Sequence, residues 1–82
     1  MNLELARRLL IAAEQQQDRR LDVYDRDSAH EIQLMIEAGL VTGSGPTESD
    51  PYSGAIFMIT DDGRKFLRAL GDLPSVTPRS ET

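Results

Sequence analysis

Apolar residues recur along this chain at two periods, one helical and one strand-like, and the changes between them mark out the elements. Over residues 2–16 (NLELARRLLIAAEQQ), Leu3, Ala6, Leu10 and Ala13 return at helical spacing and form one apolar stripe. Asn2 stands where a helix N-cap belongs, and Glu4 lies near the positive end of the helix dipole. Leu5, Leu9 and Ala12 make a second stripe beside the first, wider than one packing partner needs. That breadth suits a central core helix, or a helix that also pairs across a homodimer. Residues 16–22 are polar and read as a connector, and LDVY (21–24) alternates as a short strand does.

Helical spacing returns in DRDSAHEIQLMIEAG. Asp25, Asp27 and Ser28 are all able to cap this second helix. Ser28 is preferred, because Glu31 follows at the capping-box interval. Gly39 is placed to end the helix in the left-handed conformation. At 100° per residue, Ala29, Ile32, Met35, Ile36 and Gly39 share the face that reads as core, while His30, Gln33, Leu34 and Glu37 share the face shown outward.

Two strands follow, LVTG (40–43) and AIFMIT (55–60), joined by SGPTESDPYSG (44–54), a loop by composition. A hairpin with so long a tip is a wing. Thr60 then caps a last helix, DDGRKFLRALG. Asp61 and Asp62 lie at its positive end, and Arg64, Lys65 and Arg68 lie toward its negative end. Gly63, Phe66, Leu67 and Leu70 fall on one face. Glycine here costs about 1 kcal/mol of helix propensity against alanine, so Gly63 is expected to permit close approach to another backbone. Gly71 closes the helix. The tail DLPSVTPRSET has two prolines and no periodicity, which predicts a domain over 1–71 and a disordered segment over 72–82.

Composition narrows what such a domain does. The 82 residues suffice for one small domain with a thin core. There is no cysteine, which excludes disulfides, thiol catalysis and zinc–thiolate sites and fits a reducing compartment. No apolar run reaches the roughly 20 residues a membrane helix needs. The N-terminus places Glu4 before its arginines and has no long apolar stretch, so no signal peptide is expected and the cytoplasm is the expected location. Nine basic and 14 acidic residues leave a net charge of −5, which lowers the expectation of phosphate-backbone binding.

The order helix, strand, helix, strand, wing, strand, helix resembles a winged helix-turn-helix domain of the α+β class: three helices with a two- or three-stranded sheet carrying the wing. Two stretches sharpen the resemblance. LMIEAGLV (34–41) is similar to the end of a recognition helix and the first wing strand. IFMITDDGRKFLRAL (56–70) is similar to the second wing strand and its helix, where such proteins often read LT–x–x–G–x–x–FL. Together they look like a family of small bacterial and phage proteins described only as a domain of unknown function. The match spans roughly residues 30–70, and its motifs are mainly structural. One departure is plain: the 14 residues between Tyr24 and Gly39 hold one good helix and at most a turn of the positioning helix, so the helix-turn-helix is truncated.

The resemblance implies a candidate interaction face of Arg26, His30, Gln33, Leu34 and Glu37. A DNA reader would present Arg26, His30 and Gln33 to base edges, with Ser28 a further candidate, and glutamine can pair bidentately with adenine. Against that, residues 25–38 hold Asp25, Asp27, Glu31 and Glu37 with Arg26 the single basic residue, and the wing holds Glu48 and Asp50 with no Lys or Arg. Arg64, Lys65 and Arg68 are candidate phosphate contacts from another element. As a protein-binding module, the same face offers Leu34, and the stripe Leu5, Leu9 and Ala12 offers a dimer contact. Catalysis is not expected. His30 with Asp27 and Glu31 reads as a surface helix residue, Asp61 and Asp62 are first-turn residues, and the wing has neither a phosphate-loop arrangement nor a calcium loop. No cofactor, metal or small-molecule substrate is implied. The favoured reading is a non-enzymatic module for protein contact or homodimerisation; the alternative is a small DNA-binding transcriptional regulator.

Overall fold

The computed structural model describes residues 1–16, 18 and 20–71. The expected tail 72–82 lies outside them, as do Gln17 and Arg19 of the connector. The element order is α1 (Leu3–Gln15), β1 (Leu21–Val23), α2 (Arg26–Glu37), β2 (Val41–Ser44), β3 (Gly54–Ile59) and α3 (Asp61–Gly71). The chain is thus a small α+β domain of three helices and a three-stranded antiparallel sheet, in the order β1-β3-β2.

The helix starts follow from their caps. The Asn2 side chain accepts the Leu5 N–H at 3.1 Å and opens α1. At α2 the expected Ser28 cap is corrected: Asp25 is the cap, and its carboxylate accepts the Ser28 N–H at 2.9 Å. An anionic acceptor at the positive end of a helix makes the stronger, charge-assisted bond, so the carboxylate takes the position from the hydroxyl. No separate positioning-helix turn precedes α2. The backbone N–H of Ser28, then its side chain, hold the Asp25 carboxyl below its ordinary 3.8. A depressed folded value means that the contribution is present above the unfolded value and lost as pH falls through the folded one. Wild type is therefore expected to lose stability below about pH 4 more steeply than Asp25→Asn, which keeps a capping side chain without a titrating one. Thermal melts from pH 5 to pH 2 check this; parallel slopes would remove Asp25 from the acid response.

The core lies between the helices and one face of the sheet. Leu10, Ile32, Met35 and Ile56 are its largest fully enclosed side chains, with Ala6, Ala13 and Ala29 letting the helices come close. Leu9, Val23, Leu40, Val41 and Ile59 complete it, and Phe66 and Leu67 of α3 lean on it. Ala29, Ile32, Met35 and Ile36 face inward as the wheel predicts.

The two stretches that carried the family resemblance meet in space. Gly39 has φ +78° and turns the chain out of α2. The Thr60 hydroxyl lies 2.7 Å from the Gly39 carbonyl oxygen and 2.9 Å from that of Leu40, and it accepts the Gly63 N–H at 3.0 Å. One side chain thereby caps α3 and ties it to the end of α2. Gly63 does what its position predicts: a methyl group there would overlap the Leu40 carbonyl oxygen, so α3 starts directly against the backbone of Leu40, the residue before β2.

The wing strands do not pair evenly. Thr42 faces Met58 and Gly43 faces Ile56, which leaves Phe57 without a partner. This β-bulge breaks the two-residue alternation. Ile56 and Ile59, three apart, both reach the core, and Phe57 and Met58 between them both face out, 45% and 55% exposed. The wing tip closes on itself: Thr47 N–H donates to the Asp50 carbonyl at 3.1 Å, and Asp50 N–H reaches the Thr47 carbonyl at 3.2 Å and its hydroxyl at 3.0 Å.

Candidate functional site

The outward face of α2 is only partly free. Arg26, His30 and Glu37 are exposed, and Gln33 and Leu34 are half-buried. Gln33 is occupied at both ends of its amide. Its Nε2 donates to Glu37 Oε2 at 3.0 Å, and its Oε1 fills the space where Gly45 would carry a Cβ. The start of the wing therefore lies over Gln33, and adenine reading would require breaking both arrangements. Leu34 leans toward the start of α1, where it shares the wall of an open cleft with Leu5.

Glu31 was grouped with the surface acids and is corrected here: it is 3% exposed. Its Oε1 accepts the Asn2 N–H at 3.1 Å, so it does serve a helix start, but that of α1 rather than its own. Its Oε2 is buried and has no hydrogen-bond partner. The signal was present in the wheel, since Glu31 stands one turn from Met35.

The remaining candidates are dispersed. Arg26 and His30 line a cleft between the start of α2 and the wing residues Pro46, Thr47, Glu48 and Pro51. Arg64, Lys65 and Arg68 are exposed on α3, which packs on α1 and β3. Arg64 pairs with Asp61 at 3.6 Å and borders Phe57 and Met58, not the Arg26 cleft. The structure does not gather these basic groups with Arg26 and His30. The second stripe of α1 is not a spare surface. Leu9 is 7% exposed and belongs to the core, Leu5 packs against that core, and Ala12 is half-buried. The bundle closes around α1 on two sides, which uses up the extra breadth.

The outer face of the sheet emerges instead. Phe57 projects from the central strand with Met58 beside it, and Tyr24 is exposed at the end of β1. The Arg20 guanidinium lies 4.9 Å from the centre of the Phe57 ring, a cation–π distance, and 3.4 Å from Asp22. The sequence signal for this face was the unbroken apolar run AIFMI, which no alternating strand places wholly inside. Among the described residues, no helix is long and apolar enough to cross a membrane, and no cluster of three or more His, Asp or Glu side chains is placed to hold a metal ion. Compared with protein-family models, with curated proteins and with solved structures, the chain matches none.

Proposed function

We propose that this chain is a non-enzymatic, winged-helix-like binding module of the cytoplasm that acts by protein contact, beginning with a second copy of itself. The winged-helix reading is supported by the succession α2, β2, wing, β3 and α3, and by β1 adding a third strand beside β3. The truncated form of that reading is supported by the single helix α2 between β1 and β2.

The observation that carries the contact reading is the bulge that turns Phe57 and Met58 outward together. A domain this small has few large apolar side chains to spare, and adjacent exposed ones mark an interaction surface. Charges of both signs flank them, Arg20 and Arg64 beside Asp18 and Asp22. A face with both signs of charge around an apolar centre is compatible with a two-fold contact between copies. The DNA-regulator reading draws on exposed Arg26 and His30 beside the wing. It is weakened by the occupied Gln33 amide and by Asp27 and Glu48 in the same cleft.

Light scattering across a concentration series is expected to give a mass rising toward twice 9.1 kDa for wild type and staying near 9.1 kDa for Phe57→Ser. No retardation of duplex DNA is expected at low salt. A wild type that stays monomeric and retards DNA, with retardation weakened by Arg26→Ala, overturns the proposal in favour of the regulator.

A further inference from the structure

We infer that the cleft between the start of α1 and the outer face of α2 is a binding site for a basic side chain, an arginine above all, presented by a partner protein. The inference concerns a surface other than the sheet face. It rests on the protein-contact reading only in taking the ligand to come from a protein.

The starting point is Glu31. A carboxyl group that is 3% exposed, has one oxygen on a backbone N–H and leaves the other oxygen without a partner is a buried group with an unmet hydrogen bond. Such groups are costly unless a donor meets them, and a cationic donor makes the stronger bond. No described residue supplies one: the ion pairs among the described residues are Arg8–Glu4, Arg20–Asp22 and Arg64–Asp61. Glu31 forms part of the wall of an open cleft of about 390 Å³, within the roughly 300–1,000 Å³ typical of ligand sites.

The rest of the wall fits the same ligand. Asp27 supplies a second carboxylate on the α2 side, one helical turn from Glu31. Leu5 and Leu34 face the cleft from the two helices and offer apolar surface to the methylene stem of an arginine, whose charged head alone requires polar partners. Met1 forms part of the same wall and is 51% exposed. A planar guanidinium donates to two carboxylates at once, which an ammonium does less well. The position also explains why Leu34 stands among polar neighbours on the outward face.

The test is a ¹⁵N-resolved NMR titration of the full chain with the blocked dipeptide acetyl-Leu-Arg-amide at low salt. Acetyl-Leu-citrulline-amide serves as the neutral isostere. Saturable shifts are expected at the amides of Asn2, His30 and Glu31, at least tenfold weaker for citrulline and for Glu31→Gln. The glutamine keeps an acceptor for the Asn2 N–H and removes the charge. Should Glu31→Gln not fold, Asp27→Asn replaces it, with a several-fold loss expected. Shifts that are absent, that are equal for citrulline, or that map to the sheet face overturn the inference. None of these outcomes bears on self-association through Phe57, which is read by mass.

Discussion

Gly63→Ala is expected to leave the domain largely unfolded near physiological temperature, although alanine is the better helix former. The propensity gain is about 1 kcal/mol. Against it stands overlap of the new methyl with the Leu40 carbonyl oxygen and a 2.8 Å approach to Ile59 Cγ2. The obstacle is backbone, so relief requires moving α3 as a body. That movement lengthens the Thr60 hydroxyl bonds to Gly39 and Leu40 and draws Phe66 and Leu67 off the core. Overpacking of this kind costs about 3 kcal/mol, and the lost junction bonds add about 1 kcal/mol. The net is about 3 kcal/mol, a large share of a small domain's stability, and lowers Tm by on the order of 15 °C. Thermal denaturation followed by circular dichroism checks this. A variant that melts as high as wild type would show that α3 does not start against the Leu40 backbone.

Leu9→Glu is expected to abolish folding outright, and Ala12→Glu is expected to leave it intact. Both positions belong to the α1 stripe that the sequence offers for dimerisation, but they differ in what surrounds them. Leu9 is inside the core. Replacing it forfeits the packing of a large aliphatic group, about 2–5 kcal/mol, and buries a charge with no partner, which costs at least as much again. Ala12 is half-buried, and a glutamate there can reach water. Far-UV circular dichroism separates the two, and sedimentation of Ala12→Glu then reads assembly without the complication of unfolding. If Ala12→Glu keeps its helices and loses a dimer that wild type forms, the partner surface includes α1. If the dimer persists, α1 is confined to the monomer. A well-folded Leu9→Glu would contradict the core described above.

The order of elements was legible in the sequence because its signals are local. The capping roles of Asn2 and Thr60 and the helix stop at Gly39 act within one turn, and the periods of α1 and α2 need no tertiary information; the Thr60 bonds to Gly39 and Leu40 are long-range and were not legible. Gly63 was legible as well, since a glycine inside an otherwise good helix calls for a steric reason. The readings that changed depend on what arrives from elsewhere in the chain. Ser28 matched the capping box, but the competition with Asp25 is decided by charge at the helix end. Glu31 looked like a surface acid until the α1 backbone came to cover it. The second α1 stripe looked spare because sequence spacing does not tell how many elements wrap one helix. The bulge was hidden for the same reason: Phe57 and Met58 both point outward because β2 skips Phe57 between Met58 and Ile56, which depends on register and not on composition. The candidate site was therefore less legible than the fold: Arg26 and His30 lie beside the wing, Leu34 leans toward α1, and Gln33 is engaged by Glu37 and the wing.

The turn from Thr47 to Asp50 is closed by hydrogen bonds within itself. The strand ladder at Ser44 and Ala55 holds the loop ends whatever lies between them. Loop-closure entropy rises only with the logarithm of length, about 0.6 kcal/mol for each doubling. Extra residues between Thr47 and Asp50 therefore load the hairpin lightly and leave Gly45 on Gln33. The tip is the place in this small chain where an inserted epitope or a fluorophore can be carried while both proposed contact surfaces stay as they are.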